Sequence, residues 1–250
     1  MPYGLYLSAA GAQAQSERLE VIANNLANVD TVGFKRELAI LQARYAEGIE
    51  QGTSSFGSGS RDDISGGVRL AETKTDFSPG PMKRTGEPTD VAIGGDGFFV
   101  VRKGQEDFLT RAGNFRLTSG GELVTQQGYP VLSDSRTPVA IPTQGEPWDI
   151  SSSGTVRQGE TAVNLAIVKP GSLGDLVKVG ENLFRPLADV QPIPAADRSV
   201  LQGHLEMSGV QPTTEMVSLI ETSRLAEANL NLMKIQDQML DNLISGVLKA

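Results

Sequence analysis

The sequence predicts an α+β protein: a central antiparallel β domain flanked by long N- and C-terminal helices that pair in a coiled-coil-like layer. Three observations carry this. Apolar residues recur every three or four positions at both ends, alternate every second position in the middle, and are broken by Gly- and Ser-rich turns in the middle.

At the N-terminus the helical spacing visits Leu5, Ser8, Ala12, Gln15, Leu19, Ile22, Leu26 and Val29. This predicts a first helix, within an inner-layer segment assigned to residues 1–36. Residues 37–74 read as an extended linker, because "GTSSFGSGSRDDISGG" has the composition of a flexible spacer. Residues 75–203 read as the β domain. There "DVAIGGDGFFVVRKG" turns at its glycines, predicting a hairpin with one of Phe98 and Phe99 buried and the other partly exposed. "TAVNLAIVKPG" alternates Val163, Leu165 and Ile167. Residues 204–250 read as the second helical segment. Met216, Leu219, Ser223, Ala226, Leu230, Met233, Asp237, Leu240, Ile244 and Val247 keep a 3–4 spacing, and only Ser223 and Asp237 among them are polar. Pro212 followed by Thr213 and Thr214 supplies the helix start, with either Thr as N-cap. Neither helix can bury its stripe alone, so a seam this long is expected to meet neighbouring subunits as well as the other helix.

Composition removes several classes of function. The chain has 250 residues, 22 Lys and Arg against 30 Asp and Glu, and a net charge of −8, which does not suit a nucleic-acid or anionic-membrane surface. It has no cysteine, so disulfides and thiolate sites are not expected. No apolar run is long enough for a transmembrane helix. The N-terminus lacks the basic leader and apolar run of a cleavable signal, which fits a cytosolic chain or export by another route.

Catalytic chemistry finds little to stand on. The one histidine, His204, has no Cys or G-x-S-x-G partner set and reads as a residue at a strand or turn surface. "GGDGFF" lacks the G-K-[ST] ending of a phosphate loop and does not open onto a helix. Asp62 and Asp63 pair in the spacer, where burial would not tune them, and no metal-ligand spacing occurs. Trp148 reads as a core anchor. The expectation is a protein that is not an enzyme, with no cofactor, metal, small-molecule substrate or nucleic acid.

Six segments, in order, resemble one family. "NNLANVDTVGFKR" (24–36) is similar to the N-terminal signature of the bacterial flagellar axial proteins, the rod and hook group. "TDVAIGGDGFFVV" (89–101), "LTRAGNFRLTSGGELVTQQGYPVL" (109–132), "ISSSGTV" (150–156) and "GENLF" (180–184) resemble its internal blocks. "GHLEMSGVQPTTEMVSLIETSRLAEANLNLMKIQDQML" (203–240) resembles its C-terminal helix signature. Gly209 stands where the family usually has Asn, and Leu225 and Ala226 where it tends to carry an aromatic.

The resemblance implies a structural subunit of the flagellar basal-body rod that polymerises through its terminal helices into a tube transmitting torque from motor to hook. The partners implied are further copies, neighbouring rod and hook proteins, and the flagellar export apparatus. The location implied is the periplasm-spanning basal body, reached without a cleavable signal. Chain length and "LAIVKPG…LVKVGENLFRPL" favour a proximal over a distal rod protein. A soluble coiled-coil adaptor and a cell-wall hydrolase accessory are the competing readings.

The expected assembly residues are Leu5, Leu19, Ile22, Asn24, Asn25, Leu26, Asn28, Val29, Gly33, Phe34, Met216, Leu219, Leu230, Met233, Leu240 and Ile244. Asn24 and Asn28 share a helix face, and buried amides there would fix the stagger between subunits.

Overall fold

The computed structural model describes residues 3–45, 66–142 and 147–248, with isolated positions between 49 and 57; side chains at the C-terminal end are described up to 246, so Val247 of the expected stripe lies outside them. The chain forms two compact units, each built from separated segments.

The first unit comprises Met1–Ala27, Arg36–Asp76 and Gln211–Ala250. Helix α1 spans Tyr3–Ala27 and helix α2 spans Pro212–Leu248. Pro212 is the first helical residue, and Gln211 O accepts from Glu215 N, so Gln211 rather than Thr213 or Thr214 occupies the cap position. Proline suits this place because its missing N–H would have no intrahelical partner anyway.

The two helices run antiparallel against each other. A Cβ on Gly4 would come 2.8 Å from Gln236 Nε2, and one on Gly11 would come 3.1 Å from Asn229 Nδ2. Seven residues forward on α1 therefore match seven back on α2, and the same step sets Arg18 opposite Thr222 and Asn25 opposite Glu215. The α2 column turned inward is Glu215, Thr222, Asn229 and Gln236, beside Leu219, Ala226, Met233 and Leu240. The expected stripe is thus displaced by one column. Leu219, Met233 and Leu240 are half-buried, while Met216, Leu230 and Ile244 are exposed. Glycine on α1 is the reason: without side chains at 4 and 11, the helices approach until amides fill the gap.

Residues 37–74 are more than an extended linker. Strand β1 (Glu37–Arg44) and strand β2 (Gly67–Thr75) pair antiparallel from Glu37↔Thr75 to Arg44↔Gly67, with a bulge at Ile40/Leu41. Exposure alternates along β1 from Glu37 to Gln42, as in a ribbon covered on one face. Gly67, at φ +96°, brings β2 against Ala10 and Leu7 of α1. Most of the Gly/Ser-rich spacer, including Asp62 and Asp63, lies outside the described residues.

The second unit comprises Asn28–Lys35 and Phe77–Val210. Residues 28–35, expected with the first helix, therefore belong to the β unit. A six-stranded antiparallel sheet runs in the order Leu176–Gly180, Leu183–Pro186, Glu106–Thr110, Phe98–Lys103, Ile167–Pro170, Val190–Pro192. Phe99 and Val101 enter one core cluster and Phe98 and Val100 another, because successive side chains leave opposite faces of a strand. Both faces are covered, so both rings are buried, and the expectation of a partly exposed Phe is corrected. The Gly94–Gly97 turn joins strands of different sheets, since Val91–Ile93 pairs with Val200–Gln202 and Phe98–Lys103 does not, so it is no hairpin. Trp148 packs half-buried against the first cluster, in keeping with an anchor.

Candidate assembly surface

The segments that stand out in the sequence meet in the β unit around a buried ion cluster. Helix α1 ends at Ala27, and Asn28 O accepts from Thr31 N at 3.2 Å. Gly33 then takes φ +66°, which turns Lys35 into the interior with 1% exposure. Lys35 Nζ donates to Glu206 Oε1 at 2.6 Å and to Ser78 O at 2.9 Å. Glu206, equally buried, also accepts from Gly80 N at 2.9 Å and from Arg111 at 3.3 Å, while Arg111 donates to the carbonyls of Ile93 and Gly95. Burial pushes the Arg111 guanidinium below its ordinary value, and the charges of Glu206 and Asp96 oppose that.

The "GENLF" turn joins the same place. Glu181 and Asn182 take φ +52° and +61°, and Asn182 Nδ2 donates to Val32 O at 2.6 Å. Thr110 Oγ1 donates to Asn182 O at 2.9 Å. The blocks containing Val32–Lys35, Thr110–Arg111, Asn182 and Glu206 thus bolt one another together inside one chain.

Several residues expected at a subunit interface are occupied in this way. Gly33 and Phe34 are buried in their own unit, Phe34 beneath Lys178 Nζ at 3.9 Å from the ring centroid. Asn25, 1% exposed, makes a two-way pairing with the backbone of one residue: its Nδ2 donates to Glu37 O at 2.8 Å and its Oδ1 accepts from Glu37 N at 2.9 Å. It fixes where β1 begins. Asn25→Ala is expected to lower the stability of the helical unit by about 1–3 kcal/mol, because it removes both of these hydrogen bonds; the urea midpoint measures this. Asn28 accepts from Thr31 Oγ1 at 3.1 Å in the turn after α1, and Asn24 is exposed. Ile22 is buried, and Leu5, Leu19, Leu26 and Val29 are half-buried. Within the helical unit, Arg36 Nε donates to Glu215 Oε1 at 2.5 Å.

What remains outward is a large apolar surface on α2. Met216, Leu230 and Ile244 form one column, and Leu225, Leu232 and Met239 another, each spaced by multiples of seven and each flanking the α1-facing seam. Val217, Ile220, Ile235 and Leu243 are also at least half exposed or close to it. The helix therefore turns a polar column, with Leu219, Ala226, Met233 and Leu240 beside it, to its own partner and most of its large apolar side chains away. No helix among the described residues is long and apolar enough to cross a membrane.

Three family models match along the chain. Residues 5–35 match "Flagella basal body rod protein", 92–158 match "Flagellar hook protein FlgE/F/G D1 domain", and 201–246 match "Flagellar basal body rod FlgEFG protein C-terminal". The flagellar basal-body rod protein FlgF of Caulobacter vibrioides is 34% identical over 229 residues, covering 91% of each chain. The rod protein FlgG of Bacillus subtilis is 32% identical over 257 residues, covering 96% of this chain and 97% of that one. FlgG of Buchnera aphidicola subsp. Schizaphis graminum is 34% identical over 259 residues with the same coverage.

The chain belongs to the flagellar basal-body rod protein family. This is a family of structural proteins of the flagellar basal body. In this rod-family chain the motif segments build the internal bolt of the β unit, while the apolar columns of α2 stay exposed in the single chain. The triad of Lys35, Arg111 and Glu206 escaped sequence reasoning; its only signal was a set of charged residues placed within otherwise apolar motif blocks.

Proposed function

We propose that the chain is a structural subunit that polymerises through its terminal helices, as a coiled-coil-like inner layer, into the helical tube of the rod, and so transmits torque from motor to hook. The observation that carries this is the pair of exposed apolar columns on α2. Monomeric proteins seldom leave so many large apolar side chains in water, and burying each is worth roughly 1.5–3 kcal/mol. Two columns on opposite flanks of one seam give each subunit two different outward faces, which is what an open helical filament needs. The partners in this reading are further copies and neighbouring rod and hook proteins, reached after export through the flagellar secretion apparatus into the periplasm-spanning basal body. Chain length and the stretch from Leu165 to Leu187 favour the proximal rod position; relatives named FlgF and FlgG match about equally well.

Leu230→Asp tests it. Leu230 is 49% exposed in the single chain, so the variant is expected to unfold within about 0.5 kcal/mol of the unchanged protein yet fail to enter rods. Motility and basal-body composition read the second effect. Normal rods from the folded variant would overturn the proposal. Met233→Asp differs, because Met233 is half-buried on the seam and its loss weakens the helix pair itself.

A further inference from the structure

The chain's one histidine and one tryptophan meet in the β unit, in an open cleft of about 380 Å³. It is lined by Arg84, Gly86, Trp148, Gln202, Gly203 and His204 among others. Arg84 lies directly opposite His204 where Met82–Arg84 pairs with His204–Glu206. Thr85 N and Gly86 N both donate to Gly203 O, and a Cβ on Gly86 would meet nothing within 4 Å, so the floor is bare backbone. Gln202 is fully engaged: its Nε2 donates to Pro88 O and its Oε1 accepts from Ile150 N. His204 Nδ1 sits 2.9 Å from Gln202 O, which fixes the ring. Arg84 is exposed and has no hydrogen-bond or ion-pair partner among the described residues. The cleft therefore offers one uncompensated cation beside a half-buried aromatic ring.

The complementary chemistry, an apolar side chain followed closely by a carboxylate, is present elsewhere on the same unit. Leu187 is 68% exposed, the highest value among the exposed large hydrophobic residues of the described chain. Asp189, two residues on, is exposed and has no ion-pair partner among the described residues. Both sit in the short connection between Leu183–Pro186 and Val190–Pro192. We propose that the cleft is a socket for the Leu187–Asp189 loop of a second copy of this chain, with Leu187 against Trp148 and the Asp189 carboxylate on Arg84. Arginine suits a carboxylate through paired, charge-assisted hydrogen bonds. Socket and plug are different surfaces of one chain, so the contact propagates instead of closing a dimer. This deepens the rod reading and rests on it, since a polymer presents the plug to the next socket repeatedly.

A charge swap in the full chain tests it. Arg84→Glu and Asp189→Arg are each expected to cut incorporation into rods by roughly tenfold or more, and the double variant to restore most of it. Thermal midpoints of the purified variants should match the unchanged chain, because both side chains are exposed. A second measurement uses the cysteine-free background: Arg84→Cys copies mixed with Asp189→Cys copies should cross-link in assembled rods through a short bifunctional thiol reagent. Single variants that assemble normally, a double variant that fails to recover, or absent cross-linking would each overturn the socket. The rod reading has its own separate result. If Leu230→Asp blocks assembly while the charge variants do not, only the socket falls; if Leu230→Asp assembles normally, the rod reading falls.

Discussion

Glu206→Ala is expected to destabilise the β unit by about 3–5 kcal/mol, the range seen when one member of a buried ion cluster is removed. Glu206 pairs with both Lys35 and Arg111, and all three side chains are at most 7% exposed. Removing it leaves two cations without their shared counter-charge in the interior, and Gly80 N also loses its acceptor. Glu206→Gln keeps the shape and the acceptor oxygen but not the charge, so most of the loss should persist. Denaturant unfolding followed by the fluorescence of Trp148, which lies in the same unit, measures it. A loss below about 1 kcal/mol would mean the cluster behaves like a surface ion pair.

Gly33→Ala is expected to cost about as much, by a different route. At φ +66° an L side chain is strained by roughly 1–2 kcal/mol. A Cβ there would also lie 2.4 Å from Arg111 C and 2.6 Å from Ala112 N, which are backbone atoms with no freedom to swing away. Gly104 is the control, because it has the same φ of +66° with nothing within 4 Å of a Cβ. Gly104→Ala should show the strain alone, about 1 kcal/mol, and the excess at Gly33 measures the packing of the turn against Arg111. Equal losses at the two positions would show that this close approach contributes nothing.

The layout of helix, β domain and helix was legible because periodicity reports it directly. Details of the helix pair were not. A search for apolar spacing follows Met216, Leu230 and Ile244, whereas the chain turns the column of Glu215, Thr222, Asn229 and Gln236 toward α1, with Gln236 against Gly4 and Asn229 against Gly11. Small and polar residues leave no hydropathy signal, so the column between the helices is silent and the outward columns are loud. Gly33 and Phe34, expected at a subunit surface because they belong to the N-terminal motif, are buried in the β unit. Lys35 and Glu206 are 171 positions apart, and a pairing over that distance has no local signature. Residues 37–74 misled for another reason. The Gly/Ser-rich stretch dominates their composition, and β1 and β2 do not alternate apolar and polar residues in sequence, so the ribbon that begins at the Asn25–Glu37 clamp left no periodic signal.

The outward α2 columns are the centre of the account, and a chain without cysteine allows them to be probed one position at a time. Single Leu230→Cys and Ala226→Cys variants can be labelled with a maleimide in the monomer and in assembled rods. Leu230 is exposed in the single chain and Ala226 lies on the α1-facing seam. The account predicts fast labelling at position 230 in the monomer, with slowing by roughly tenfold or more in the rod, and slow labelling at position 226 in both. Labelling at position 230 that is equally fast in monomer and rod would contradict it.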